Sequence, residues 1–246
     1  MDVRVKPTKR LAGALNPLSS KNYTTRYLLA AALAEGTSVI RFPAVSEDGE
    51  AMRRCLRDLG ATIVEDEEKI TLTGFGTRPQ QVEQLDPGNA GAVLRFLMAV
   101  GAFMPRVTFM NTYPDSLGKR PHGDLLDALE QLNVKSTSQD GRLPITLYGG
   151  QAQGGKVNVS GAVSSQYLSA LLFLTPLLEE SSVIEVNGGL KSKAAIRQTL
   201  DVLTHAGIKI ESSDDLLRFV VPGKQRYQPQ EVVIPGDYPG TVRSEK

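Results

Sequence analysis

Tryptophan is missing from this chain and aromatic residues together make up 6% of it, so a surface that stacks nucleic-acid bases is not expected. Cysteine occurs once, at Cys55, which cannot close an internal disulfide and makes a reducing cytoplasm the simple default. Neither sign of charge is in excess: 28 basic residues face 27 acidic ones, which argues against a nucleic-acid-binding tail or a membrane-binding face. No apolar run reaches the ~18–20 residues needed to span a bilayer. The opening MDVRVKPTKR lacks the apolar core of a signal peptide. Histidine occurs twice, at His122 and His205, too far apart and too unsupported by other ligands for a metal site; both are expected to be structural, and no metal is expected. With these classes set aside, 41% hydrophobic and 22% charged residues describe an ordinary globular protein of one large domain or two small ones.

The stretch that is present and informative is Ser19–Gly36, SSKNYTTRYLLAAALAEG. Leu28, Leu29, Ala32 and Leu33 recur at helical spacing, alanines fill the intervals, and Gly36 stands where a C-cap belongs. The polar first half places Lys21 and Arg26 beside the helix start. A helix N-terminus already carries partial positive charge, so two cations there are unfavourable unless an anion sits between them and the free backbone N–H groups.

The pattern is then written three times. After the first helix come a strand at Thr37–Phe42, an amphipathic helix at Glu47–Leu59 capped by Gly60, and strands at Ala61–Val64 and Lys69–Thr73. The order returns as helix Asn89–Gly101, strand Arg106–Asn111, helix Gly123–Leu132, and strands Val134–Thr137 and Leu143–Tyr148. It returns again as helix Ser164–Leu178, strand Ser181–Val186, helix Lys193–Ala206 capped by Gly207, and strands Ile208–Glu211 and Leu216–Val221. Val39, Val107 and Val183 are equivalent positions. The first helix of each unit is apolar nearly all round and must be buried on all sides. The expected fold is therefore α/β (α+β): three pseudo-symmetric helix–strand–helix–strand–strand units around buried parallel helices. Residues 1–18 show little periodicity; Val3, Val5 and Leu11–Leu15 are candidates for short strands.

Parallel helices bring their N-termini to one face. The three starts carry Lys21-Asn22-Tyr23-Thr24-Thr25-Arg26, then Gly88-Asn89-Ala90-Gly91 with Arg95 one turn on, then Ser164-Ser165-Gln166. These are residue types that converge on phosphate or carboxylate, and glycine permits close backbone approach. Ser and Asn are also ordinary caps, but caps do not account for the cations. Arg120, beside Lys119 and held by the following Pro121, suits bidentate binding of a carboxylate or phosphate.

With these residues the chain resembles the N-terminal half of the 5-enolpyruvylshikimate-3-phosphate (EPSP) synthase family, from about Lys21 to Pro235. The family's Lys-Ser-x-Ser/Thr-x-Arg is similar to Lys21–Arg26; its Gly-Asn-Ala-Gly-Thr with a following Arg is similar to Gly88–Ala92 with Arg95. Asp115-Ser116-Leu117-Gly118-Lys119-Arg120-Pro121 matches Asp-x-Ser-Leu-x-x-Arg-Pro with one spacer missing, and Ser164-Ser165-Gln166-Tyr167 matches Ser-Ser-Gln-Tyr/Phe unchanged. The resemblance implies transfer of enolpyruvyl from phosphoenolpyruvate to the 5-hydroxyl of shikimate 3-phosphate, with no metal or organic cofactor. It implies that Lys21, Asn22, Arg26, Ser164, Ser165, Gln166 and Ser192 bind shikimate 3-phosphate. It implies further that Lys21, Gly91, Arg120 and Gln166 bind phosphoenolpyruvate, with Lys21 catalytic and Asn89 and Arg95 supporting.

The sequence departs from the family at Asn22, where a Ser is usual, at Ala92, where a Thr is usual, and at Ala195, where a Tyr packs on shikimate. Lys-Asn at 21–22 is what the UDP-N-acetylglucosamine enolpyruvyl transferases use, but their loop cysteine is absent, and Cys55 is expected in the core. The family's catalytic Asp and Glu belong to a second domain. By the resemblance, residues 19–228 form the three-unit domain, while 1–18 and 229–246 belong to or lead into a second domain missing from this chain. Asp48 and Asp115 are the nearest carboxylates, and neither matches a family catalytic position. The expected partners are the two anionic substrates and a separate C-terminal half, with no nucleic acid and no membrane. The rival readings are a non-catalytic anion-binding half-enzyme and the UDP-N-acetylglucosamine transferase.

Overall fold

A computed structural model describes residues 17–237; the candidate strands at Val3, Val5 and Leu11–Leu15 lie outside them. The first unit contains α1 (Lys21–Leu33), β1 (Thr37–Arg41), α2 (Glu47–Asp58), β2 (Thr62–Glu65) and β3 (Lys69–Thr73). The second contains β4 (Gln84–Leu85), α3 (Gly91–Gly101), β5 (Val107–Phe109), α4 (Gly123–Glu130), β6 (Lys135–Gln139) and β7 (Arg142–Tyr148). The third contains β8 (Lys156–Ser160), α5 (Ser165–Leu174), β9 (Ser182–Asn187), α6 (Lys193–His205), β10 (Glu211–Ser212) and β11 (Arg218–Val221), and β12 (Glu231–Val233) follows. The expected α/β class and the threefold order are present. The second and third units also include a leading strand, β4 or β8, absent from the expected pattern, and β12 takes the same place beside the first unit.

That strand gives three sheets one topology: β12-β1-β3-β2, β4-β5-β7-β6 and β8-β9-β11-β10. In each sheet the first pair is parallel and the other two pairs are antiparallel. β4-α3-β5 and β8-α5-β9 are βαβ crossovers, the connection that joins adjacent parallel strands. The first sheet takes its parallel edge strand from β12, with Val39 opposite Glu231 and Arg41 opposite Val233. Residues 229–237 are thus tied into the first sheet, and an antiparallel bridge from Ser19 to Gly236 extends the contact.

The central helices are buried almost throughout: every residue of α3, and Thr24–Leu33 of α1. They run parallel. Near their starts Arg95 of α3 donates to Gln166 of α5, and further along Phe96 and Phe173 pack with ring centroids 5.6 Å apart. At the far end Leu33 and Leu177 line one hollow, and Ala102 and Leu177 another. That far end is sealed by a repeated device. After the last long strand of each unit stands Gly74, Gly149 or Gly223, where an added Cβ would lie 2.3 Å from the Ala31 oxygen, 2.5 Å from the Ala102 oxygen or 2.6 Å from the Glu180 oxygen. The next residues, Phe75, Gly150 and Lys224, donate N–H groups to the Ala32, Ala102 and Leu178 carbonyls at 2.9, 2.8 and 2.7 Å. Carbonyls that a helix end leaves unpaired are thereby satisfied by backbone.

Cys55 is buried on α2, as expected, its thiol donating to the Asp86 carbonyl at 3.2 Å and pushed up to about 12 chiefly by burial. Among the described residues no helix is long and apolar enough to cross a membrane, and no group of three His, Cys, Asp or Glu side chains could hold a metal ion.

Candidate anion-binding site

The opposite end of the central helices is open. α1, α3 and α5 begin there together with α6, and none of these four has an acidic residue in its first turn. By contrast α2 has Glu47, Asp48 and Glu50, and α4 has Asp124, the usual complement to a helix start. Ser20, Ser164 and Ser192 cap α1, α5 and α6 by accepting N–H bonds from Tyr23, Gln166 and Ala195. α3 has no such cap: Ala90 stands at its N-cap position.

Two guanidinium groups meet this uncapped start. A Cβ added at Gly91 would lie 3.2 Å from Nη1 of Arg120 and 3.3 Å from Nη1 of Arg95. Arg120 is exposed, whereas Arg95 is 8% exposed, lies over the Tyr167 ring at 5.1 Å, and leaves Nε without a partner among the described residues. Burial lowers the Arg95 pKa, and Arg120 lowers it further. Below the pair His122 is fully buried, and both ring nitrogens are unpartnered among the described residues. Burial first, then Arg95 and Arg120, pull its pKa down to about 4, so it is neutral at physiological pH.

Arg95, Arg120, Ser164, Ser165, Gln166 and Ser192 line one cavity of about 470 Å³, joined by Tyr167, Lys191 and Ala195. Ser165 Oγ accepts from the Ser192 N–H at 2.9 Å and Ser164 Oγ from the Gln166 N–H at 3.2 Å. Each hydroxyl is thus already an acceptor, and its proton is the group left to offer an anion.

The other expected residues are placed differently. Arg26 is 2% exposed and enclosed between α1, α3 and α6: Nε donates to Thr199 at 2.9 Å, Nη1 to the Asn22 carbonyl at 3.0 Å and Nη2 to the Ala195 carbonyl at 3.3 Å, with Phe96 beneath. Its pKa falls to about 10 through burial. Lys21 and Asn22 are exposed. Lys21 lines a neighbouring hollow with Leu18 and Val45 and pairs with Asp48 at 3.3 Å. Asn89 lines a third with Asp86 and Tyr113, and Val45 and Ser46 border both. Asp115 is exposed and pairs with Lys119 at 3.0 Å. Among the described residues, no carboxylate lines the cavity that holds the two arginines. Lys191 escaped the sequence reading although its signal was present: a cation next to the N-cap Ser192, ahead of a first turn without acids, repeats the pattern that singled out Lys21.

The family model described as EPSP synthase (3-phosphoshikimate 1-carboxyvinyltransferase) matches residues 5–242. The chain is 54% identical over 241 residues to a 3-phosphoshikimate 1-carboxyvinyltransferase of Deinococcus radiodurans, covering 98% of this chain and 55% of that protein. The corresponding protein of Methanocaldococcus jannaschii is 38% identical over 239 residues, with 95% and 55% covered. The chain spans about half the length of the curated relatives it matches. An EPSP synthase structure from Acinetobacter baumannii superposes with a TM-score of 0.80 at 21% identity over 92% of this chain and 50% of that one. An enolpyruvyl transferase from Streptomyces tendae superposes at 0.68 and 16% identity, over 93% and 53%. The three helix-start motifs, the Asp115–Pro121 motif, the threefold architecture and these matches together show that the chain belongs to the EPSP synthase family.

Proposed function

We propose that this chain carries the anion-binding half of a 3-phosphoshikimate 1-carboxyvinyltransferase, which moves the enolpyruvyl group of phosphoenolpyruvate to the 5-hydroxyl of shikimate 3-phosphate. The observation that carries the reading is the approach of Arg95 and Arg120 to the uncapped start of α3, beside the hydroxyls of Ser164 and Ser165. In this reading Arg120, Gly91 and the free N–H groups of α3 take phosphoenolpyruvate, with Arg95 and Asn89 in support. Ser164, Ser165, Ser192, Asn22 and Arg26 serve shikimate 3-phosphate, and Lys21 and Gln166 reach both. Cations and helix dipoles fixed before the reaction stabilise the charge that builds on the tetrahedral ketal, where water is excluded.

The reaction also moves protons, and among the described residues the arginine-lined cavity offers no carboxylate for this. Asp48 and Asp115 are held by Lys21 and Lys119. We therefore assign the proton-transferring carboxylates to the half that the relatives have beyond this match. Residues 19–228, completed by β12, act as one domain, and the flanking segments lead toward that second half. The lone buried thiol fits a cytoplasmic enzyme.

Thermal melting and a phosphate-release assay test the proposal. Shikimate 3-phosphate should raise the Tm of the chain. Phosphate release from both substrates should appear when a polypeptide corresponding to the remaining half is added. Vigorous turnover by the purified chain, unchanged by that addition, would overturn the two-half reading. Stabilisation without turnover after the addition would favour an anion-binding module. Stabilisation by UDP-N-acetylglucosamine and not by shikimate 3-phosphate would reassign the acceptor.

A further inference from the structure

Tyr167 is 1% exposed, and neither substrate is assigned to it above. Its hydroxyl donates to the Pro121 carbonyl at 2.7 Å, fixing the residue that follows Arg120. Its ring lies under the Arg95 guanidinium, with Cζ 5.1 Å from the centroid. Arg95 in turn donates to the side chain of Gln166, the residue preceding Tyr167 on α5. The two guanidinium groups that approach Gly91 are like charges and tend to part when no anion is bound. One side chain holds both: Arg95 through a cation–π contact, Arg120 through the backbone of its neighbour.

We propose that Tyr167 is a positioning residue that sets the spacing of the Arg95–Arg120 pair for a phosphate- or carboxylate-bearing substrate. Ring and hydroxyl have separable duties. The ring supports Arg95, and the hydroxyl anchors the loop from Leu117 to Pro121. A phenylalanine at this position keeps the first function and loses the second, leaving the Pro121 carbonyl without its donor. The inference rests on the phosphoenolpyruvate assignment above only for the identity of the ligand, not for the geometry.

The test compares Tyr167→Phe and Tyr167→Leu in the whole chain. Arginine side-chain NMR with 15N and 13C label, assigned by Arg95→Lys and Arg120→Lys, needs no ligand. In Tyr167→Phe the Arg120 Nε–H signal should shift or broaden while Arg95 keeps its ring-current displacement; in Tyr167→Leu both should move. Calorimetry should then find phosphoenolpyruvate bound roughly fivefold to tenfold more weakly by Tyr167→Phe, as loss of one neutral hydrogen bond implies. Shikimate 3-phosphate should stay within about twofold of wild type. Arg120 signals identical in wild type and Tyr167→Phe would overturn the proposal whether or not wild type binds phosphoenolpyruvate. A lower Tm with unchanged phosphoenolpyruvate affinity would also overturn it, reducing Tyr167 to a packing role. Wild-type chain that binds no phosphoenolpyruvate counts against the site reading above, and the NMR comparison then decides the role of Tyr167 alone.

Discussion

The central helices are finished in opposite ways at their two ends. At the C-terminal end, glycines at 74, 149 and 223, each just after a strand, let the chain press onto backbone carbonyls at the helix ends, and backbone N–H groups close the bonds at 2.7 to 2.9 Å. At the N-terminal end, one helix start is left without a cap, two arginines crowd it, and a buried histidine lies below with no partner. The first end pairs helix-end carbonyls with backbone donors. The second keeps like charges close and polar atoms unpaired, which costs stability and is retained where a ligand supplies the missing partner. One bundle can do both because its helices are parallel, so their strain and their satisfaction fall on separate faces.

The largest effects should come from disturbing the sealed end. Gly74→Val would put Cβ 2.3 Å from the Ala31 and Ala34 oxygens, backbone atoms that cannot turn aside. Losses of more than about 3 kcal/mol are expected, comparable to severe overpacking. Urea denaturation of Gly74→Val and Gly149→Val checks this; a midpoint within error of wild type would show that the end is looser than its geometry.

Next in size is an acid-side effect at the open end. His122 has its pKa lowered from 6.5 to about 4 by burial and by the nearby arginines. Between those values the unfolded chain takes up a proton that the folded chain refuses, so stability falls as pH falls through the window. Complete traversal is worth roughly 3 kcal/mol, with a slope of up to about 1.4 kcal/mol per pH unit. His122→Leu should remove that slope and leave the profile flatter between pH 6.5 and 4. An unchanged slope in denaturation curves across this range would mean that His122 does not refuse the proton.

A glycine at the open end should behave unlike Gly74. At Gly91 the nearest obstacles to a Cβ are the far ends of two long side chains, Arg120 and Arg95, rather than backbone. Gly91→Ala should therefore fold with stability equal to wild type or greater by up to about 1 kcal/mol, since Ala favours helix. The displaced guanidinium groups should weaken phosphoenolpyruvate by about tenfold, read by calorimetry. A fall in stability matching that of Gly74→Val would erase the distinction between the two ends.

Much of this contrast could be read in the sequence, because its carriers are strong local signals. The apolar helices, the amphipathic helices and the caps Gly60 and Gly207 stand within a few residues of where periodicity put them. The parallel edge strands were missed for different reasons. Gln84–Leu85 is two residues long and Glu231–Val233 three, too short to show alternation, and the partner of Glu231–Val233 lies at the far end of the chain. Lys156–Ser160 did alternate, with Val157 and Val159 buried, and could have been found. At the site, residue types led to the expectation of an anionic ligand, but burial could not be read from them. Arg26 and Arg120 look equivalent in sequence, yet one is enclosed by three helices and the other faces the cavity. Tyr167 was visible only as a motif letter, since its role depends on Pro121, far from it in the chain.

The smallest expected effect adds to the open end. Ala195 lines the cavity near Ser164, Ser165 and Ser192, and its half-buried methyl offers no flat face to a ring. Under the proposed function, binding of shikimate 3-phosphate would then be carried by its phosphate, with little from its carbocycle. Ala195→Tyr would place an aromatic face on the third residue of α6, where the backbone N–H already bonds to Ser192 Oγ and the carbonyl accepts from Arg26 and Thr199, so the helix itself need not change. At ~25 cal/mol per Å² of apolar surface covered, a partly buried ring face contributes on the order of 1 kcal/mol, or about fivefold in affinity. Shikimate 3-phosphate should tighten by that amount and inorganic phosphate, which has no ring, should not. Calorimetry with both ligands separates the outcomes: if the two affinities move together, or neither moves, position 195 does not face the ring and the open end recognises charge alone.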